Sequence, residues 1–251
     1  MDLGLDGRVY VLTGASKGLG HATAAALVGD GAKVVISSRD AAGVAAAAAA
    51  LGDGAVGVAA DLSSPETPGR LVAEARARFG RFDGALISVG GPAPGSAGSM
   101  TDEQWRSAFE TVFLGSVRAA REFSAALPDG GVIALVLSTT VKTPLKGLGL
   151  SNGLRPGLAM ATKDMADEWG PRGIRVVSLL PGRFLTDRNV ELFASSGDPE
   201  AAAAAAAETI PLRRIGEPAE FGRVAAFVLS PAASYISGSA LAVDGGAMRS
   251  L

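Results

Sequence analysis

Thr13-Gly14-Ala15-Ser16-Lys17-Gly18-Leu19-Gly20 is a glycine-rich turn set between a predicted strand and a predicted helix. It follows the short apolar run Arg8-Val9-Tyr10-Val11-Leu12-Thr13 and opens the alanine-rich, helix-favouring segment Gly20–Val28. Strand, glycine turn, helix is the context in which a glycine pattern binds phosphate. The glycines permit a tight turn and close backbone approach, and the helix N-terminus offers unpaired N–H groups and a favourable dipole to an anion. Gly14, Ser16, Lys17, Gly18, Leu19 and Gly20 therefore read as the cradle for the pyrophosphate of a dinucleotide. The competing reading is a tight turn and nothing more, and the next element weighs against it.

That element is the apolar run Lys33–Ser37, which ends at Ser38-Arg39. An NAD site normally carries an acidic residue there to take the ribose hydroxyls. A neutral hydroxyl and a guanidinium suit a 2′-phosphate, which a carboxylate would repel and an arginine pairs. Ser38 and Arg39, with Lys17 as a second positive charge, thus favour NADP(H) over NAD(H). Asp40 follows Arg39, so a solvated ion pair between them is the alternative.

Further outward the rhythm repeats. Asp40–Leu51 reads as an alanine-dominated helix, Ala55–Ala59 as a strand, Thr67–Phe79 as a helix, Gly84–Val89 as a strand, and Asp102–Leu127 as a long helix. Val132–Ser138, Ala159–Trp169, Ile174–Leu180 and Ala240–Val243 continue the alternation. Strands and helices alternating at this spacing predict an α/β fold. It is a single domain, residues 1–251, with a doubly wound, mainly parallel, Rossmann-like sheet and ligands beyond the carboxyl ends of its strands. One long interruption, residues 183–218, contains Ser195-Ser196-Gly197-Asp198-Pro199 and the alanine run Ala201–Ala207. A segment of this length beside a cleft reads as a helical lid over substrate, and the bland alternative is a surface helix without ligand contact.

Composition narrows the chemistry. Of 251 residues, 48% are hydrophobic and 19% charged, the balance of a compact chain and not of a disordered one. With 23 basic and 25 acidic residues and a net charge of −2, there is no electrostatic footprint for nucleic acid or an anionic membrane. The absence of cysteine removes thiolate ligands and nucleophiles. The one histidine, His21, makes a histidine metal site or a Ser-His triad implausible, and it reads as packed or exposed. No metal is expected. The amino terminus lacks a basic and apolar leader pattern and no long apolar run occurs, so the reading is cytoplasmic, with a small-molecule substrate.

With these residues in place the chain resembles the short-chain dehydrogenase/reductase family along its whole length. Asp61-Leu62 is similar to the family's adenine-contacting pair after the third strand. Asp83–Gly90 resembles the stretch leading to the family's Asn-Asn-Ala-Gly turn, although here it ends Ile87-Ser88-Val89-Gly90. Pro181-Gly182 with Thr186 resembles the segment at the nicotinamide end, and Val243-Asp244-Gly245-Gly246 the closing strand. The resemblance implies a homo-tetramer or dimer.

The catalytic pattern departs from the family. A serine after the fifth strand is kept as Ser138. The family's Tyr-x-x-x-Lys reads Ser151-Asn152-Gly153-Leu154-Arg155, and Val112 stands at the asparagine position of the long helix. The remaining tyrosines, Tyr10 and Tyr235, fall outside the family's catalytic place. A serine hydroxyl is a far weaker acid than a phenol of pKa about 10, and arginine stays protonated at working pH and relays no proton. Ser138 and Ser151 are then expected to orient substrate and Arg155 to bind the cofactor ribose. Lys142, with Lys146 beside it in the loop, is a candidate to polarise a carbonyl oxygen, unless these lysines are merely solvated. The reading is an NADP(H)-dependent oxidoreductase acting on a carbonyl or hydroxyl substrate by hydride transfer with an atypical proton donor. Two alternatives are a non-redox isomerase, cyclase or lyase on the same scaffold, and a catalytically silent binding subunit of a hetero-oligomer. Arg188 and Arg213 are candidate anion contacts near the lid.

Overall fold

A computed structural model describes residues 2–194 and 197–250, so Ser195 and Ser196 of the expected lid lie outside the described residues. Seven strands form one sheet: β1 (Val9–Leu12), β2 (Lys33–Ser38), β3 (Ala55–Ala59), β4 (Gly84–Ile87), β5 (Val132–Val136), β6 (Arg175–Pro181) and β7 (Ala240–Val243). Their order is β3-β2-β1-β4-β5-β6-β7, and every neighbouring pair is parallel. Chain progression reverses between β1 and β4, so the loops leaving these strands diverge and open a crevice at their carboxyl ends.

Both faces are buried along β1, β2, β4, β5 and β6, which explains why these strands read as continuous apolar runs; the edge strands β3 and β7 are partly exposed. Side chains still alternate between faces. Tyr10 and Leu12 pack with helices α1 (Gly18–Gly29), α2 (Ala41–Leu51) and the helix Pro218–Leu229 on one side. Val9 and Val11 pack on the other side with α3 (Thr67–Phe79) and with the later helices that carry Phe123, Leu158 and Trp169.

Three helical regions differ from the sequence expectation. The helix expected over Asp102–Leu127 is α4 (Asp102–Ala108), a π turn (Phe109–Leu114) and α5 (Gly115–Ala126) in continuous succession. The helix expected from Ala159 begins at Gly149, as α6 (Gly149–Trp169), and so carries both Ser151 and Arg155. Gly149, Gly153, Gly157 and Pro156 conceal its first half, because glycine and proline are poor interior residues by propensity. Tertiary packing overrides that propensity: a Cβ at Gly153 would come within 2.6 Å of the Trp105 ring, and one at Gly157 within 3.2 Å of Phe113.

The interruption at 183–218 contains α7 (Asp187–Ala194) and α8 (Pro199–Glu208), the second capped by Asp198, whose carboxylate accepts from Ala201 N. Its ends meet in a parallel bridge between Phe184 and Gly216, so the segment leaves the domain through a closed neck. The helix Pro218–Leu229, α9, is an element the sequence reading passed over. Proline in its first turn and the reciprocal capping of Glu217 and Glu220 mark its start.

Candidate active site

The crevice is a cleft of about 930 Å³, within the range of small-molecule and cofactor sites. It begins at the glycine turn. Gly14 has φ 59°, and a Cβ there would lie 2.6 Å from the Ser88 carbonyl oxygen, so only glycine fits between the loops after β1 and β4. At Gly20 a Cβ would come within 2.6 Å of the Gly14 carbonyl oxygen, which fixes the close approach of α1 to its own turn. Thr13 braces the two loops: its Oγ1 donates to the Ser88 carbonyl at 2.8 Å and accepts from Ser88 N at 3.0 Å. No side chain caps the N-terminus of α1 and no acidic residue sits in its first turn, which leaves that end of the helix to an anion from the cleft.

At the edge of β2, Asp40 does not pair with Arg39. Its carboxylate accepts from Ala42 N at 3.1 Å and caps α2, and Ser38 Oγ donates to the Asp40 carbonyl. Arg39 and Lys17 both line the cleft, and neither forms a salt bridge among the described residues. Asp61 Oδ1 accepts from both N and Oγ of Ser63 at 2.9 Å. The Ser63 backbone hydrogen bond holds the Asp61 carboxyl below its ordinary range; the Ser63 hydroxyl and the positive charge of Arg39 act in the same direction.

At the other end, Arg155 is buried, with only 5% exposure, and lines the cleft. Its Nη1 donates to the carbonyl oxygens of Val136 at 2.9 Å and Leu137 at 2.8 Å, which anchors the guanidinium to the end of β5. Val112, which the sequence reading matched to the family's asparagine, lies within the π turn and closes a small apolar cluster with Ala108, Leu150 and Leu154.

The cofactor residues expected from sequence converge as a group. Gly14, Ser16, Lys17, Gly18, Leu19, Gly20, Ser38, Arg39, Asp61, Leu62, Gly90, Arg155, Pro181 and Thr186 all line the cleft. Four expected site residues are not among its lining, and each has a local reason. Ser151 is buried and its Oγ lies 3.0 Å from Thr140 Oγ1. Ser138 Oγ accepts from Thr140 N at 3.1 Å, capping the short turn after β5. Lys142 is exposed in the following loop. Gly182 packs against Asp244, and its N–H donates to the Val243 carbonyl. The hydroxyls expected to orient substrate, Ser138 and Ser151, thus both engage Thr140 in the turn after β5, and Lys142 lies in the loop that follows.

The expected lid reaches the cleft through Thr186, Asp187 and Glu191, whereas α8 contributes no lining residue. The Arg188 side chain lies outside the described residues, and Arg213 is exposed with Nη1 donating to the Glu208 carbonyl. Tyr10 is buried with its hydroxyl donating to the Leu229 carbonyl, and burial raises its pKa well above the ordinary phenol value. Tyr235 is fully exposed, and neither tyrosine lines the cleft. The sequence reading missed the polar wall made by Glu103, Gln104, Ser107 and Thr111. Their spacing of three and four residues along one predicted helix was the available signal.

Comparison with known proteins agrees with this geometry. A family model described as enoyl-(acyl carrier protein) reductase matches residues 14–248. Versicolorin reductase 1 of Aspergillus parasiticus is 33% identical over 262 residues, covering 98% of each chain. The structure of L-sorbose reductase from Gluconobacter frateurii, complexed with NADPH and L-sorbose, superposes with a TM-score of 0.92 at 30% identity and covers 100% of both chains. A short-chain dehydrogenase/reductase of Brucella melitensis, described as a glucose/ribitol dehydrogenase, gives a TM-score of 0.91 at 28% identity, again over 100% of both chains. The chain belongs to the short-chain dehydrogenase/reductase family. It is an oxidoreductase of that type, built around a nicotinamide-cofactor cleft.

Proposed function

We propose that this protein is an NADP(H)-dependent oxidoreductase that acts on a carbonyl or hydroxyl substrate by hydride transfer, with a proton source other than the family's tyrosine. The observation that carries the reading is the division of labour at the edge of β2. Asp40 caps α2, and Arg39 and Lys17 are left facing the cleft without a carboxylate partner among the described residues. The glycine turn and the N-terminus of α1 would hold the pyrophosphate. Lys17, Ser38 and Arg39 would take the 2′-phosphate, Asp61-Leu62 the adenine, and Pro181, Thr186 and Gly90 the nicotinamide end. The bound cofactor supplies the hydride.

The chain's own contribution to chemistry centres on Arg155. Anchored to the carbonyls of Val136 and Leu137, its guanidinium presents fixed positive charge at the cleft floor. There it orients the ribose and steadies negative charge developing on a substrate oxygen. No tyrosine lines the cleft among the described residues, so the proton reaches that oxygen from solvent. General acid catalysis is worth about 10²- to 10⁴-fold, so this arrangement describes a slow reductase and not an inert one. The working form is read as a homo-tetramer or dimer, by analogy with the family.

The test is incubation with NADPH and a broad panel of carbonyl compounds, following loss of nicotinamide absorbance. Slow oxidation that depends on the carbonyl supports the reading; NADPH binding without any turnover removes it. That second result belongs to a silent dinucleotide-binding subunit, which the apolar setting of Val112 and the enclosed Ser151 hydroxyl favour.

A further inference from the structure

Arg118 on α5 joins two parts of the cleft that are far apart in sequence. Its Nη1 donates to the Ser63 carbonyl at 2.8 Å and its Nη2 to Glu110 Oε1 at 3.0 Å, and its side chain is only 14% exposed. The π turn makes this pair possible. Its extra residue lets Glu110 and Arg118, eight apart, share one helix face as residues seven apart do in an unbroken α-helix. Ser63 is held from its other side by Asp61, whose Oδ1 takes both of its donors at 2.9 Å. Beneath the loop, the Leu62 carbonyl rests against Gly115, where a Cβ would come within 3.0 Å of that oxygen. The segment Asp61–Ser63 is thus held at Ser63 by Arg118, at Asp61 by the Thr67 hydroxyl, which donates to the Asp61 carbonyl at 2.6 Å, and from beneath at Gly115, and all three residues line the cleft, as does Thr111 beside Glu110.

We propose that Arg118 is a positioning residue for the adenosine half of the cofactor, its ion pair with Glu110 fixing the Asp61–Ser63 floor against α5. This rests on the dinucleotide reading above. Arg118 is not among the residues that line the cleft, so its effect belongs in adenosine affinity and not in the chemistry at the nicotinamide. The probes are 2′,5′-ADP, which presents the adenosine half alone, and NADPH, whose bound emission reports on the nicotinamide.

Wild type, Arg118→Ala, Arg118→Lys and Glu110→Gln are titrated with each probe, with thermal melting in parallel. For Arg118→Ala the dissociation constants of both probes rise about tenfold, while NADPH emission at saturation keeps its wild-type wavelength and yield. Arg118→Lys recovers part of the loss, because a lysine retains the charge without the fork that reaches two acceptors. Glu110→Gln falls between. If Arg118→Ala fails to fold, the other two variants carry the comparison. An unchanged 2′,5′-ADP affinity with a lowered melting temperature would overturn the proposal, since Arg118 would then brace the helix only. An altered nicotinamide emission would overturn it as well. Wild type that binds NADPH but shows no variant effect removes the Arg118 role alone; wild type that binds neither probe removes the dinucleotide reading beneath it.

Discussion

The hydroxyl oxygens of Thr140 and Ser151 lie 3.0 Å apart, both residues are buried, and neither lines the cleft. The hydroxyl of Ser151, the residue that the sequence reading matched to the family's proton-donating tyrosine, is engaged with the turn after β5. Ser151→Ala should therefore leave turnover within about twofold of wild type. It should also lower stability by about 1–3 kcal/mol, because Thr140 loses its buried partner. Carbonyl-dependent NADPH oxidation and a denaturant melt measure the two effects separately. A hundredfold drop in turnover with unchanged stability would return Ser151 to the chemistry.

Arg39 faces the cleft because Asp40 is committed to the cap of α2. Its removal should fall on the 2′-phosphate alone. Arg39→Ala is predicted to weaken NADPH by roughly 10- to 100-fold, the loss of one charged hydrogen-bonding partner, and to leave NADH within about twofold. Fluorescence titration with each cofactor decides it, and equal weakening of the two would refute the phosphate role.

Where the 183–218 segment returns to the domain, Arg214 pairs with Glu220 through two 2.7 Å contacts, and Glu220 also accepts from Glu217 N. These contacts lower the Glu220 pKa from 4.5 to about 2, the Arg214 hydrogen bond contributing most. A carboxyl depressed in the folded state stabilises above its unfolded pKa and loses that contribution as pH falls through the folded value. The melting temperature of wild type should thus exceed that of Glu220→Gln by a constant margin from pH 8 to 5. The margin should shrink below about 4.5 and vanish near 2. A margin that grows on acidification would contradict the assignment. The pair is exposed, so the margin is small.

Where sequence and structure agree, the reason is local chemistry. The glycine turn, the apolar runs of β1 to β7 and the Ser38-Arg39 edge are short-range signals; they located the sheet, and the residues they marked line one cleft. Helix α6 was obscured because Gly149, Gly153 and Gly157 are glycines for the benefit of Ala97, Trp105 and Phe113, contacts that no short window contains. Likewise, the π turn gives no separate pattern within a continuous helical run, although it places Val112 in the apolar cluster and Glu110 beside Arg118. The catalytic residues were the least legible. Matching Ser138 and Ser151 to a family pattern fixes their backbone positions, but the direction of each hydroxyl depends on Thr140, which that pattern does not mention.

Whether the cleft holds a phosphorylated nicotinamide dinucleotide is measured by fluorescence titration of wild-type protein with NADPH and with NADH under identical salt. NADPH should bind saturably and at least about tenfold tighter than NADH, a difference of about 1.4 kcal/mol. Saturation by neither cofactor, or tighter binding of NADH, would contradict it.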